Sequence, residues 1–237
     1  MKKGKLSNYK AIILAGGKGT RLYPITLEIP KALLSVNRKP IINYLVELFL
    51  NQDVKDIAVL ISREFKEDFL WWKKRYFAKE HISFFIEKKP LGTFGGLHLT
   101  KKWIGNSPFF LVNGDDLANI NLSKMATFHK KTNPVGTIAL VKVNNPADYG
   151  VVVCNSDYIK SFIEKPKTPV SNYVNSGYYL LSPEIFRYHS GPQFLMIEKD
   201  IFPKIAKAGK LVGFKFQGKW IDTGTYDRYK EALRNWN

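Results

Sequence analysis

Residues 10–24 read Lys10-Ala-Ile-Ile-Leu-Ala-Gly-Gly-Lys-Gly-Thr-Arg-Leu-Tyr-Pro24. The apolar run is short and continuous and ends at Gly16-Gly17, which is typical of a strand buried on both faces of a sheet. Glycines directly after such a strand let backbone amides approach phosphate oxygens, because no Cβ stands in the way. Lys18 and Arg21 add positive charge. The stretch therefore predicts a central parallel strand that ends in a phosphate-binding loop.

Two common phosphate-binding motifs do not fit this loop. A Walker A loop has Ser or Thr after its lysine, whereas Lys18 is followed by Gly19. The dinucleotide fingerprint has a third glycine at the position that Leu22 occupies. The loop is therefore expected to hold phosphates in another way.

The order of strand, loop and helix repeats along the first half of the chain. A helix is predicted to open at Pro40. The next elements are a strand at 56–62, a helix at 64–77, a strand at 81–87, a helix at 94–103 and a strand at 108–113. Such alternation implies a parallel sheet with helices on both faces and ligands at the carboxyl ends of the strands. We therefore predict an α/β fold, a Rossmann-like three-layer sandwich whose loops after Leu14, Glu87 and Asn113 share one rim.

Strand signals become closely spaced after residue 135. Strands are predicted at 137–143, 149–154 and 158–163, followed by a helix at 197–208, a strand at 211–216 and a helix at about 225–236. The pattern indicates a small antiparallel insertion in a mainly parallel central sheet. No linker, low-complexity tract or internal repeat interrupts the chain, so a single domain over residues 1–237 is predicted.

Composition narrows the function classes. The formal charge is +17, from 37 Lys and Arg against 20 Asp and Glu. The lysines are scattered without interleaved aromatic platforms, which favours a solvated basic surface over a nucleic-acid interface. No apolar run approaches the roughly 18–20 residues of a membrane span. No cleavable apolar segment follows the basic start Met1–Lys5. The single cysteine, Cys154, permits no intramolecular disulfide and fits a cytoplasmic protein.

The loop and the segments after it resemble a known family. From Leu14 to Val36 the sequence matches LAGGxGTRLxPxTxxxPKxLxxV, the signature of the sugar-phosphate nucleotidyltransferases, the pyrophosphorylases that make nucleotide sugars. Further matching segments are Glu87–Thr93, Val112–Asp115, Phe162–Pro166, Asn175–Gly177 and Trp220–Gly224. The resemblance implies that a nucleotidyl group passes from a nucleoside triphosphate to a sugar 1-phosphate, releasing pyrophosphate.

The resemblance implies a role for each matching residue. Arg21 would bind the leaving pyrophosphate portion, Lys31 would neutralise charge near the reacting phosphates, and Lys165 would grip the sugar phosphate. The implied nucleotide-binding residues are Leu14, Ala15, Gly16, Gly17, Gly19, Thr20, Arg21, Leu91, Gly92, Thr93, Asn113 and Gly114. The implied sugar-binding residues are Tyr149, Gly150, Glu164, Lys165 and Asn175. Residues 10–135 would thus form a nucleotide-binding part, and residues 136–237 a sugar-binding part with one metal ligand.

Two aspartates are the candidate metal ligands. In the resembled family the positions of Asp115 and Asp222 hold Mg²⁺ between them, and carboxylate oxygens suit this ion. Asp116 is a weaker candidate and is otherwise expected to be an exposed turn residue. The expected cofactor is therefore Mg²⁺.

The base and the sugar are less closely defined. Residues 90–96 resemble the base-reading loop LGTAG of guanylyltransferases, with Phe94 replacing a small residue. The motifs are closest to mannose and heptose 1-phosphate guanylyltransferases, so GTP is favoured. Three alternatives stay open: a uridylyl- or thymidylyltransferase, a cytidylyltransferase acting on a non-sugar phosphate, and a non-catalytic regulatory or nucleic-acid-binding relative. Glu164, Lys165 and Asn175 argue against the second, and retention of both candidate metal ligands argues against the third.

The remaining residues of interest receive structural interpretations. None of the four histidines belongs to a recognised motif, so all four are expected to be structural or surface residues. Trp71 and Trp72 are neighbours on a predicted helix, so one indole can lie outside the core. Together with the resemblance, this pair is compatible with a homo-oligomer. No hexapeptide repeats are present, so no appended β-helix domain is expected.

Overall fold

The structure is a computed structural model that describes residues 6–236; the basic start Met1–Lys5 and Asn237 lie outside the described residues. The strands are β1 (Lys10–Leu14), β2 (Ser35–Val36), β3 (Lys39–Pro40), β4 (Asp56–Ser62), β5 (Ile82–Glu87), β6 (Phe109–Asn113), β7 (Asp116–Ala118), β8 (Gly136–Lys142), β9 (Gly150–Asn155), β10 (Tyr158–Glu164), β11 (Tyr173–Leu181), β12 (Leu211–Lys215) and β13 (Trp220–Asp222).

The α-helices are α1 (Ile25–Glu28), α2 (Ile41–Leu50), α3 (Lys66–Tyr76), α4 (Gly92–Gly95), α5 (Lys101–Ile104), α6 (Leu122–Thr132), α7 (Phe202–Lys207) and α8 (Tyr226–Asn235). Short 3-10 turns cover Thr20–Leu22, Lys31–Leu33, Gly96–Thr100, Pro146–Asp148 and Pro183–Arg187, and a π-helical turn covers Ile197–Ile201. No helix within the described range is long and apolar enough to cross a membrane.

The described chain divides into two compact units. The first unit comprises residues 6–90, 111–119 and 219–236, and the second comprises residues 91–110 and 120–218. The units therefore interleave along the sequence. The two units are defined by their internal contacts. The division into a nucleotide-binding part and a sugar-binding part near residue 135 stays a prediction.

Parallel strands form the centre of the first unit. β1 pairs with β4 from Lys10↔Asp56 to Leu14↔Leu60, and β4 pairs with β5 from Ile57↔Ile82 to Ser62↔Glu87. The middle residues of β1 and β4 are fully buried, as expected for continuous apolar runs with side chains on both faces. The predicted parallel arrangement is thus confirmed for these three strands.

Three strand ends in the first unit lie at one edge. The Ala15 amide donates to the Leu60 carbonyl at 2.8 Å, and the Gly114 amide donates to the Leu14 carbonyl at 2.9 Å. At the end of β5, the Glu87 carbonyl accepts from the Arg63 amide at 3.1 Å. The structure confirms that the loops after Leu14, Glu87 and Asn113 share one rim.

The strands of the second unit are mixed in direction. Their order is β11-β8-β12-β10-β9, with β8 and β12 parallel and the other neighbouring pairs antiparallel. The predicted insertion was too small, because strand β11 was missed. Asn175-Ser176-Gly177 interrupts its apolar sequence, and the register with β8 shifts at this point. Seven of its nine residues are nevertheless buried.

Helix α6 was also missed by the sequence prediction. Its start is set by Asn121, whose side chain accepts a hydrogen bond from the Lys124 amide at 2.8 Å. Its buried residues are Leu122, Met125, Ala126 and His129, which lie at helical spacing. The His129 ring contacts the Thr137 hydroxyl at 2.8 Å, and burial lowers the pKa of His129 to about 4, which fits its predicted structural role.

Candidate active site

The glycine-rich loop turns sharply at Gly19. This residue has left-handed backbone angles (φ 62°, ψ 30°), and its carbonyl accepts hydrogen bonds from the Leu22 amide and the Thr26 hydroxyl, both at 2.8 Å. A Cβ at Gly19 would lie 3.1–3.2 Å from the Thr26 side chain. Glycine is therefore required here both by backbone conformation and by a close neighbour.

A cavity of about 230 Å³ lies beside this loop. Its lining residues all belong to the first unit and are Leu14, Ala15, Gly17, Gly19, Thr20, Arg21, Lys31, Ala32, Gly114 and Asp115. Most of the predicted nucleotide-binding residues of the first unit are thus brought together. Gly16 and Asn113 do not line the cavity. Gly16 faces the Glu87 carboxylate, and the Asn113 amide donates to Asp116 Oδ2 at 3.1 Å.

Lys31 and Asp115 form an ion pair at the cavity. The Lys31 ammonium donates a hydrogen bond to Asp115 Oδ2. Burial raises the pKa of Asp115, but the charges of Lys31 and Arg21 outweigh burial and hold this pKa below its ordinary value. Asp115 is therefore an ionised carboxylate held between two cations.

Strand pairing brings Asp222 to the same region of the first unit. β13 pairs with β7 in an antiparallel register that sets Asp222 opposite Asp116. The amide and hydroxyl of Thr223 both donate to the Asp115 carbonyl, at 2.9 and 2.8 Å. Two aspartates that are far apart in the sequence are thereby fixed to one another through the backbone.

Asp222 has its own cationic partner. Arg228, in the first turns of α8, donates to Asp222 Oδ2 at 2.6 Å, while the Gly224 amide donates to Asp222 Oδ1 at 2.5 Å. Burial raises the pKa of Asp222, and the nearby Asp115 raises it further. The two candidate metal ligands therefore repel one another electrostatically.

Asp116 was expected to be an exposed turn residue, and this expectation was wrong. It begins β7 and is only 5% exposed. Burial raises the pKa of Asp116 well above its ordinary value, and the charges of Asp115 and Asp222 raise it further. The buried position and the two neighbouring carboxylates thus disfavour a third negative charge at Asp116.

The donor set of Asp115 and Asp222 suits Mg²⁺. This ion is commonly held by one or two carboxylates, substrate phosphate oxygens and water. Within residues 6–236, no three or more His, Cys, Asp or Glu side chains form a group that could hold a metal ion by themselves. Two mutually repelling carboxylates beside this cavity are therefore compatible with an ion whose remaining ligands come from the substrate and water.

Four of the predicted sugar-binding residues meet at one end of a hairpin in the second unit. β9 and β10 pair so that Gly150 lies opposite Glu164, and the Lys165 amide donates to the Tyr149 carbonyl at 3.0 Å. Lys165 has a left-handed backbone (φ 49°), which is unfavourable for a residue with a side chain and often occurs at functional sites. Its side chain is exposed and available to a ligand.

The fifth, Asn175, belongs to a hydrogen-bond chain in the second unit. Its amide donates to the Tyr179 hydroxyl at 2.8 Å, and the Tyr179 hydroxyl donates to Glu198 Oε1 at 3.5 Å. The hydroxyl of Thr93, a predicted base-loop residue, donates to Glu198 Oε2 at 2.8 Å. Glu198 therefore connects the predicted base loop with the predicted sugar-binding strand.

Glu198 is a notable site residue that the sequence analysis missed. It lies in the π-helical turn Ile197–Ile201, a geometry that is frequent at functional sites. Burial raises the pKa of Glu198 to about 7, and the nearby charge of Glu164 contributes to this increase. Arg228 was missed as well. The local sequence pattern identifies neither residue. The partner of Glu198 in the base loop lies in a distant segment, and the partner of Arg228 lies six residues earlier, before the start of α8.

The predicted base loop packs closely against neighbouring parts of the second unit. Phe94 is fully buried against His98 and Phe186, with ring centroids 5.1 and 6.1 Å away. The Leu195 carbonyl occupies the space where Gly92 would carry a Cβ. Glycine at position 92 therefore leaves room for the backbone of Leu195. Leu91 and Thr93 are anchored to the same neighbouring segment, through Leu195 and Ile197.

A cavity after a parallel strand, rimmed by cations and carboxylates, lies where ligands bind in an α/β protein with a Rossmann-like fold. The chain belongs to the nucleotidyl transferase family, which it matches over residues 10–237.

Individual relatives agree with this membership. The chain is 40% identical over 227 residues to the mannose-1-phosphate guanylyltransferase catalytic subunit beta of Xenopus tropicalis, covering 91% of this chain and 61% of the relative. It is 38% identical to the mannose-1-phosphate guanyltransferase of Schizosaccharomyces pombe, with the same coverage. The chain thus spans about 61% of the length of these curated relatives.

A solved structure has the same fold. HddC from Yersinia pseudotuberculosis, complexed with GMP-PN, matches with a TM-score of 0.84 and 28% sequence identity. The match covers 97% of this chain and 100% of the HddC chain.

Proposed function

We propose that the protein transfers a guanylyl group from GTP to mannose 1-phosphate, giving GDP-mannose and pyrophosphate. The observation that carries this proposal is the first-unit cavity, in which the glycine loop, Arg21 and Lys31 adjoin Asp115. The names of the two relatives support the choice of base and sugar. Heptose 1-phosphate is the second sugar to be tested.

The reaction is a direct displacement at phosphorus. A phosphate oxygen of the sugar 1-phosphate attacks the α-phosphorus of GTP, and the bond from the α-phosphorus to the bridging oxygen of pyrophosphate breaks. The attacking oxygen is already ionised near neutral pH, so no protein base or nucleophile is required. The protein contributes alignment and cationic stabilisation of the spreading negative charge.

In the first unit, Arg21 and Lys31 would stabilise the triphosphate, and the amides of the glycine loop would hold its oxygens. Asp115 and Asp222 would hold Mg²⁺, which supplies positive charge to the reacting phosphates when it is bound. The repulsion between the two carboxylates supports this assignment, because a divalent cation would relieve it.

In the second unit, the antiparallel strands would present the sugar-binding residues. Lys165 would bind the phosphate of the sugar 1-phosphate, and Glu164 would accept hydrogen bonds from sugar hydroxyls. The Gly150 backbone and Asn175 would complete recognition of the sugar.

The single cysteine also supports a cytoplasmic location, where thiols stay reduced.

The proposal is tested by measuring pyrophosphate release with each nucleoside triphosphate, Mg²⁺ and a panel of sugar 1-phosphates. GTP with mannose 1-phosphate is expected to give the highest kcat/KM. A clear preference for UTP or dTTP with glucose 1-phosphate would overturn the choice of substrates. Absence of release with every pair would overturn the enzymatic function.

A further inference from the structure

An apolar surface is exposed on α3 and the segment before α2. Trp71 is 59% exposed, and Leu70 and Tyr76 on the same helix are each 39% exposed. A groove of about 450 Å³ runs between this helix and Ile29, Pro30 and Leu33, all within the first unit. Contiguous exposed apolar surface of this kind is typical of a protein interface.

Trp71 is not needed to hold α3 in place. The helix is anchored by Phe69 and Trp72, which are buried, and the Trp72 indole donates to Asn43 Oδ1 at 2.7 Å. Trp71 instead contacts the guanidinium of Arg75, which lies 5.2 Å from the ring centroid. Exposed tryptophan and arginine side chains are the residue types most often found at the energetic centre of interfaces.

The charges on the exposed face of α3 are self-complementary. Glu67, Leu70, Trp71 and Lys74 lie on one face, because residues three and four apart are neighbours on a helix. Acidic residues occupy the first turn and basic residues the last. A two-fold axis passing between Leu70 and Trp71 would set Glu67 of one copy opposite Lys74 of the other. Leu70 of each copy would then meet Trp71 of the other across the axis.

The charge of this surface also selects the kind of partner. The chain as a whole carries +17, so two copies repel one another over most of their surfaces. The groove, in contrast, is edged by Glu67 and Asp68. Glu67 is highly exposed and contacts Lys66 at 3.3 Å on the surface, which is a weak interaction. An acidic edge does not suit nucleic acid but does suit the basic end of a second α3.

We propose that this α3 face binds a second copy of the chain, with the two α3 helices antiparallel across a two-fold axis and Trp71 at the centre. Such an isologous interface uses the same residues twice, so each favourable contact is made twice. It is independent of the proposed catalytic function, because it involves none of the residues assigned to substrates or metal.

The test measures the dimer dissociation constant of the full chain by sedimentation over a range of concentrations. Trp71→Ala is expected to weaken the dimer at least tenfold. Phe194→Ala removes a similarly exposed aromatic residue in the second unit and is the control. A wild-type protein that stays monomeric at every concentration, or a dimer that is unaffected by Trp71→Ala, would overturn the proposal.

A charge exchange tests the antiparallel orientation. Glu67→Lys alone sets two lysines opposite one another, and Lys74→Glu alone sets two glutamates opposite one another, so each change should weaken the dimer severalfold. The double variant restores opposite charges and should recover the wild-type dissociation constant. Glu231→Lys on α8 makes the same charge change elsewhere in the first unit and should have little effect. Failure of the double variant to recover would overturn the proposed pairing, and circular dichroism checks that every variant is folded.

Discussion

Asp222 lies at the end of β13, where its carboxylate is bound by Arg228 and the Gly224 amide. Asp222→Asn keeps the size of the side chain but removes its charge. If Asp222 holds the metal, turnover should fall about a hundredfold or more, because charge stabilisation by the ion contributes several kcal/mol. Pyrophosphate release measures this loss.

The control for this change is Asp227→Asn, an exposed carboxylate in the first turn of α8. This variant should retain nearly normal turnover. Near-normal turnover of Asp222→Asn as well would contradict the metal assignment. The unfolding midpoint of both variants must be recorded, because Asp222→Asn also weakens the contact with Arg228.

Glu198 should make stability depend on pH. Its pKa is raised to about 7 from an ordinary 4.5, so the native protein retains the proton over a range in which the unfolded chain loses it. The stabilising contribution is therefore complete below about pH 4.5 and is lost as the pH rises through about 7. A shift of this size corresponds to at most about 3–4 kcal/mol.

Urea unfolding between pH 5 and pH 8 measures this contribution. Glu198→Gln keeps the hydrogen bonding of a neutral side chain and should make the free energy of unfolding less dependent on pH across this range. Glu64→Gln, at an exposed position, should leave the pH dependence of the wild type unchanged. An identical pH profile for Glu198→Gln and wild type would contradict the elevated pKa.

Among the structural elements, the glycine loop contains glycines with two different roles: one that the backbone conformation requires and one that would leave space for a ligand. Gly19 has a left-handed backbone and touches Thr26, so Gly19→Ala should lower the free energy of unfolding by about 1–2 kcal/mol. A Cβ at Gly17 meets no atom within 4 Å, so Gly17→Ala should leave stability nearly unchanged. If the Gly17 backbone approaches the triphosphate, Gly17→Ala should still raise the KM for GTP.

Chemical denaturation and steady-state kinetics on these two variants distinguish the roles. Equal losses of stability would show that the loop requires glycine at both positions for folding. Normal kinetics for Gly17→Ala would contradict a close backbone approach to the nucleotide.

The sequence predicted elements well where one periodicity persists. The strand at 56–62 was placed correctly, and the alternation of strands and helices gave the parallel strands of the first unit. Strand β11 was missed because Asn175-Ser176-Gly177 resembles a turn. In the structure the strand continues through these three residues, because the residues around them are buried in the second unit. Local sequence does not reveal such tertiary burial.

The candidate site was predictable where its residues lie in contiguous motifs, as in the glycine loop. The contact of Asp222 with Arg228 was not predictable, because it crosses the start of α8, where helical spacing does not apply. The contact of Thr93 with Glu198 was not predictable either, because it joins segments 105 residues apart. The burial of Asp116 was missed for the same reason, since it follows from the pairing of β7 with β13.

At the scale of the whole molecule, the net charge of +17 should make thermal stability sensitive to salt. Like charges repel over about 30 Å at 10 mM salt but only about 8 Å at 150 mM. Since 1 kcal/mol shifts the Tm of a protein this size by about 2–4 °C, the Tm should rise by a few degrees between these salt concentrations. A differential scanning calorimetry series in NaCl measures it, and a Tm that falls with added salt would contradict net repulsion.

The pairing of β7 with β13 has a consequence for the order in which the protein is made. β7 and Asp115 are synthesised midway along the chain, whereas β13 and Asp222 follow only after all of the second unit. On the ribosome, the glycine loop and Lys31 therefore emerge long before the second carboxylate. The acidic pair is completed late in synthesis, so a nascent chain can fold its phosphate loop well before it has both candidate ligands for the metal.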